Sequence, residues 1–298
     1  MPVRRPKGCS LPELGAGFSV VLLGLFSAAA WGTGDFGGGL LSRRAPLLGV
    51  VAFTQVVGMV FAAAVAIGRA EPVPQGADLA WAGATGIAGV IGMTSLYRGL
   101  AVGRMGVVAP TTGLIGAIIP VVVGFATEGV PSAVVLVGIA TALTAVVLVT
   151  RAPGHGDGRP SGIRWALTAG IAIGAFNVCV GQFSGAGAFG QLFVLRLVQA
   201  AILLVLIVAW RQPWRMERSI LPKLVVVGLL DMGGNACFIL AAQTGPLAIA
   251  AVLSSLYPVV TVMLAVFVLR ERVSRSHVFG FALTAVAIVL IGTGSATL

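Results

Sequence analysis

Charge is scarce in this chain. Only 9% of its 298 residues are Asp, Glu, Lys or Arg, where a soluble domain uses about 25% to wet its surface. That shortage excludes a globular protein with an apolar core and a polar shell. Cysteine is also sparse. Cys9, Cys179 and Cys237 show no CxxC or paired spacing, which excludes a disulfide framework, and the latter two read as small apolar fillers. The two histidines, His155 and His277, lie in or beside polar connections with no second ligand at metal spacing, so neither a metal nor a cofactor is expected. The basic start MPVRRPKGCS lacks an A-x-A-like cleavage site and runs into a full-length apolar segment. It reads as the approach to a first membrane helix rather than a removed signal.

What is abundant is apolar. Hydrophobic residues make up 58% of the chain and the mean hydropathy is +1.04, which marks a polytopic membrane protein. A window of about 20 residues, the length that crosses the hydrocarbon, finds ten candidate spans near 17–41, 47–68, 79–99, 107–127, 132–150, 163–182, 189–210, 220–242, 248–269 and 277–296. These runs lack the alternation of a barrel strand, and lipid forbids unpaired backbone, so the expected fold is all-α. The net charge of +10 does not point to nucleic acid, because the basic residues cluster between apolar runs without interleaved aromatics.

The longest polar interruption, RAPGHGDGRPSG at 151–162, reads as a linker. It divides the chain into a tail (1–16), a first unit (17–150) and a second unit (163–298), each unit with five spans. The units align at an offset of about 141 residues. FTQVVG from Phe53 then lies against VLRLVQ from Val194, pairing Gln55 with Arg196, and GMTSLYRGLA lies against GGNACFILAA, pairing Tyr97 with Phe238. Gly138 meets Gly280 within one residue. An odd number of spans per unit inserts the second copy upside down, as in secondary transporters, whose sites lie near the midplane between halves.

The stretch AAVLSSLYPVVTVMLAVFVLRERV at 250–273, followed by GFALTAVAIVLIGTG, resembles the last two helices of an EamA-type transporter of the drug/metabolite transporter superfamily. The first unit carries a weaker copy, VVAPTTGLIGAIIPVVVGFATEGVPS, and AAAWGTGDF is similar to the family's tryptophan-glycine turn in the first helix. The resemblance implies a ten-helix basket around a central cavity that exports or exchanges small metabolites. One departure is Glu128-Gly129, where the family usually has Gly-Glu-Arg.

Arg196 stands near the middle of the seventh span, where an arginine costs at least about 2.5–3.5 kcal/mol on insertion scales. Its partner by depth is Asp231, midway along the eighth span, with Asn235 one turn on along the same face and Gln199 one turn from Arg196 itself. The short connection predicts antiparallel neighbours and an ion pair. Such a pair serves either as a static strut or as a cavity-lining group that lends its guanidinium fork to a carboxylate or phosphate, with Asp231 the candidate carrier of a coupling proton. Asp35, Gln55, Asn177 and Tyr257 are further substrate-binding candidates at membrane depth, although intramembrane amides also act as interhelical glue. Pro110, Pro120 and Pro258 are candidate kinks, and Gly170/Gly174 and Gly34/Gly38 are candidate close-approach pairs.

GTGDFG matches the dinucleotide pattern and contains DFG, but a membrane helix rather than a strand precedes it. GTGD also resembles an element of intramembrane aspartyl proteases, with Asp35 and Asp231 as the dyad. Against that enzyme reading, no tyrosine precedes Asp231. A non-transporting structural membrane protein is the third class.

The loops after spans 1, 3, 5, 7 and 9 hold fourteen Lys or Arg, against Arg4, Arg5, Lys7 and Arg69 on the other side. The positive-inside rule places the larger set in the cytoplasm and the termini outside, whereas the family habit places the termini inside. Seventeen Arg to two Lys, with abundant Ala and Gly, suits a bacterial plasma membrane. The expected function is a secondary transporter, not an enzyme, that moves a small polar metabolite, such as an amino acid or other anion-bearing solute, by alternating access. Its expected partners are the bilayer, the solute and a coupling proton. Substrate, direction and oligomeric state are not written in these residues.

Overall fold

The computed structural model describes residues 13–42, 45–102, 105–150, 162–183, 187–269 and 275–295. The RAPGHGDGRPS linker, Cys9, His155 and the Arg270-Glu271-Arg272 helix end lie outside the described residues. The described chain is helical throughout, with no strand. In order the helices are α1 (Glu13–Ser42), α2 (Leu47–Gly68), α3 (Gly76–Val102), α4 (Met105–Glu128), α5 (Ala133–Thr150), α6 (Ile163–Gly181), α7 (Ala188–Ala209), α8 (Leu221–Thr244), α9 (Leu247–Ser254), α10 (Tyr257–Leu269) and α11 (Arg275–Ser295). Seven of them are long and apolar enough to cross a membrane, and shorter apolar helices cover 133–148, 247–261 and 278–291. This is a multi-span membrane protein. Its outward faces carry large apolar side chains such as Ile67, Phe267 and Val208, as lipid contact requires and water would not tolerate.

Two expectations need correcting. The span expected as one helix over 248–269 is broken at Ser255 and Leu256. Pro258 supplies no N–H, and its ring excludes the carbonyl four residues earlier, while the residue before a proline is pushed from the helical region. The chain responds by tightening, and the amides of Leu256 and Val259 bond to carbonyls only three residues back, at Leu253 and Leu256. The Trp-Gly-Thr-Gly-Asp segment at 31–35 is no turn but the interior of α1. Its glycines serve helix contact: Gly32 faces the Tyr257 carbonyl and Val260, and Gly34 faces the Asp231 amide.

Small residues set the helix pairs. Gly170 and Gly174 of α6 lie against Ile115 and Ile119 of α4, and a side-chain bond from Thr112 to the Ala166 carbonyl spans the same seam. Gly24 lies against Leu253, and Thr261 donates to the Gly32 carbonyl at 3.0 Å along the seam of α1 with α9 and α10. These two seams are parallel. The α1–α8 seam is antiparallel, running from Val20 and Gly245 at one end through Ser27, which donates to the Gly234 carbonyl at 2.9 Å, to Gly37 and Val227 at the other. Its counterpart α3–α6 is antiparallel too, from Gly99 beside Trp165 to Gly89 beside Phe176. Helices α2 and α7 also cross antiparallel, with Val51 and Leu203 in one apolar cluster at one end and Gly58 against Arg196 further along.

Two carboxylates of the first half seat on helix starts of the second. Glu71 accepts from the amides of Phe189 (2.8 Å) and Gly190 (3.1 Å) at the start of α7, and Glu128 accepts from the Leu247 amide at 3.0 Å at the start of α9. A carboxylate there meets both unsatisfied N–H groups and the positive end of the helix dipole. The Glu128-Gly129 departure thus has a physical role: the carboxylate reaches the start of a helix in the next half.

Candidate functional site

Helices α1–α4 and α6–α8, with the α9–α10 break, surround a partly open cavity of about 90 Å³. Helical periodicity decides which side chains reach it. Trp31 and Asp35 are one turn apart on α1, Arg196 and Gln199 one turn apart on α7, and Asp231 and Asn235 one turn apart on α8. Spacings of three and four residues share a helix face, so each pair enters the cavity together. Gln55 of α2, Asn177 of α6, and Ser255 and Tyr257 at the α9–α10 break add to the polar lining.

Arg196 is almost wholly buried, at 2% exposure, and its Nη1 lies 2.7 Å from Oδ2 of Asp231, which keeps 22% of its side chain exposed. The same nitrogen donates to Oε1 of Gln55 and reaches toward Oε1 of Gln199 at 3.4 Å. Nε lies against Gly58, and neither Nε nor Nη2 finds a partner among the described residues. Gly58 and Gly89 make room for this cluster: a side chain at Gly58 would press on the guanidinium, and one at Gly89 would occupy the place of the Gln199 amide. Asn235 holds Asp231 from behind, its Nδ2 donating to the Asp231 carbonyl at 2.7 Å and to Oδ1 at 3.3 Å. Asp231 therefore presents one oxygen to Arg196 and the other to an amide.

The ion pair forms as the depths of the two residues predict, but by a different route. Helices α7 and α8 touch, yet each packs more broadly on α2, so Gln55 of α2 joins the meeting of Arg196 with Asp231.

A second cluster faces the first. The Trp31 ring packs against Phe238 with centroids 5.6 Å apart and meets Tyr257 edge-on at 6.5 Å. Gly234 lies under the Trp31 indole, where a side chain would displace it. Asp35 follows on the same face and has neither ion pair nor hydrogen bond among the described residues. On α6, the Asn177 Nδ2 donates to the Gly116 carbonyl at 3.3 Å, while its Oδ1 is buried and unpartnered.

All eight candidate residues thus line one cavity: Arg196, Gln199, Asp231, Asn235 and Gln55 around the ion pair, and Asp35, Tyr257 and Asn177 around the rest of the wall. Sequence reading missed Trp31, Phe176 and Ser255 as lining residues. Trp31 had a signal, its spacing of four from Asp35. Phe176 is adjacent to Asn177, but an aromatic in an apolar helix reads first as packing.

Comparison with known proteins agrees in kind. A solved structure described only as "Crystal structure of protein" superposes with a TM-score of 0.69 at 17% identity, covering 93% of this chain and 95% of its own. At that identity the likeness concerns the fold. No curated protein sequence matches. The model of the EamA-like transporter family matches residues 160–293. Over those residues, from α6 to near the end of α11, the chain is similar to the EamA-like transporter family, which is consistent with the drug/metabolite transporter superfamily.

Proposed function

We propose that the chain is a secondary transporter that moves a small polar metabolite across a bacterial plasma membrane by alternating access between two oppositely inserted five-span units, 17–150 and 163–298. The pattern of helix contacts supports that arrangement. Exchanging the first five helices for the last, with α9 and α10 taken together, turns α1–α8 into α6–α3, α2–α8 into α7–α3 and α4–α6 into α1–α9/α10, and each of these is a contact in this molecule. Gln55 and Arg196, equivalent positions 141 residues apart, bond to each other, as equivalents do where a two-fold axis passes between them. Inverted units of this kind rock about a midplane site.

The observation that carries the reading is the buried Arg196–Asp231 pair in the wall of that shared cavity. A strut needs no adjoining space, whereas this pair opens onto it. The guanidinium receives the anionic part of a solute such as an amino acid, and Asp231, freed or protonated in turn, couples the movement to a proton. The protease alternative is weaker, because Asp231 is committed to Arg196 and Asn235 rather than sharing a proton with Asp35 as a catalytic dyad would.

Comparing the metabolites released by cells with and without the gene identifies solutes to try, and flux of those solutes into vesicles holding the purified protein tests the proposal. Flux above that of protein-free vesicles is expected. Equal flux for every solute enriched in the comparison would overturn it.

A further inference from the structure

Charge in the cavity does not balance. Among the described residues its lining has one guanidinium, Arg196, against two carboxylates, Asp35 and Asp231. Arg196 and Asp231 satisfy each other at 2.7 Å. Asp35 is left over, lining the same space with no ion pair or hydrogen bond among the described residues, the Tyr257 and Tyr97 hydroxyls being the nearby donors. An isolated carboxylate at membrane depth is strongly disfavoured, and such residues pair or mark a solute path.

The groups around it share one chemistry. Gly34 seats against the Asp231 amide, which brings Asp35 and Asp231 to one level on neighbouring helices. Trp31 lies one turn from Asp35, with Tyr257 edge-on to it, so two electron-rich rings stand beside the carboxylate. Asn177, 5% exposed, keeps its Oδ1 unpartnered in the same lining. That oxygen is an acceptor without a donor among the described residues. Carboxylate, aromatic faces and an amide oxygen together suit an ammonium group: the first by charge, the rings by cation–π attraction, the amide by hydrogen bonding.

From this we infer that Asp35, Trp31, Tyr257 and Asn177 form an ammonium-binding subsite, and that the transported solute carries an amine or quaternary ammonium group. The inference rests on the transport reading for the word transported, and it deepens that reading: an ionised Asp35 favours a solute with an ammonium group over a simple anion, which would add negative charge beside it. A zwitterion fits, with its ammonium at Asp35 and its acid toward Arg196, and so does a monocation.

The test uses the full-length purified protein and three probes of one shape, benzylammonium, benzoate and benzyl alcohol, with binding read by calorimetry and by the change in tryptophan fluorescence. Benzylammonium is expected to bind saturably, and benzoate and the alcohol at least about tenfold more weakly, the scale of 1.4 kcal/mol. Asp35→Asn should lose most of the benzylammonium affinity, Asp35→Glu should keep part of it, and Trp31→Phe should remove most of the fluorescence change while weakening binding less than Asp35→Asn. If Asp35→Asn fails to fold, the Asp35→Glu and Trp31→Phe variants and the three-probe ranking decide. Benzoate bound as well as benzylammonium, or Asp35→Asn binding it unchanged, would overturn the subsite. Flux of an anion without ammonium binding would sink the subsite and leave transport standing. Ammonium binding without flux of any solute would do the reverse.

Discussion

Arg196 Nη1 touches two residues from opposite halves of the chain: Asp231 of the second half at 2.7 Å and Gln55 of the first. A single nitrogen therefore belongs to an ion pair within one half and a hydrogen bond between halves. Any movement of one half against the other must change at least the second of these.

Arg196→Ala is expected to abolish flux while leaving the protein inserted. It exposes an uncompensated carboxylate, and breaking a buried pair costs about 3–5 kcal/mol, so the melting temperature in detergent should fall. Adding Asp231→Ala to that variant should restore part of the lost stability without restoring flux, since removing both partners leaves no orphan charge. Arg196→Lys keeps the charge but loses the planar fork, and should recover stability better than transport. Full flux in Arg196→Ala would remove the residue from the site.

Asp231→Asn tests proton coupling. The variant keeps the shape and can still receive the Arg196 donor, but it can neither gain nor lose a proton. Flux measured from acid to alkaline pH should lose its dependence on the proton gradient. A profile identical to that of the parent protein would strike Asp231 from any coupling role.

Glycine substitutions should separate contact from propensity. A methyl at Gly174 would sit 2.7 Å from Cβ of Ile119, and overpacking of this kind costs about 1–3 kcal/mol. Gly39 has nothing within 4 Å, so Gly39→Ala should be neutral or stabilising by up to about 1 kcal/mol through helix propensity. Thermal melts of the two variants should move in opposite directions or differ clearly in size. Equal shifts would refute the close α4–α6 seam.

Sidedness follows from charge. Arg211, Arg215 and Arg218 lie in one exposed connection, and Arg69 lies in a connection at the opposite ends of the helices. In a variant without native cysteines, Gln212→Cys should be shielded from an impermeant thiol reagent added outside whole cells, and Gly68→Cys should react. The reverse labelling would put both termini in the cytoplasm.

Much of this was legible because membrane depth makes polarity conspicuous. Arg196, Asp231 and Asn235 stood out in apolar runs, and helical spacing put Asn235 and Gln199 on the right faces. Gln55 was legible only as the equivalent of Arg196, and its bond to Arg196 depends on how α2 lies between α7 and α8, which no local pattern encodes. The break before Tyr257 was visible as a proline, but hydropathy reads continuous apolar chain and cannot tell a kinked helix from two short ones. Trp31 escaped as a wall of the cavity because an aromatic looks alike whether it faces a neighbour, a solute or lipid.

Glu71 and Glu128 are both contributed by the first half, and both rest on helix starts of the second half at one face of the bundle. At that face the two halves are fastened by a pair of clasps, each a carboxylate on backbone amides. Parting the two halves at that face would break both. In the proposed alternating-access cycle, parting that face would pull on peptide groups, whose hold does not depend on which side chains line the cavity.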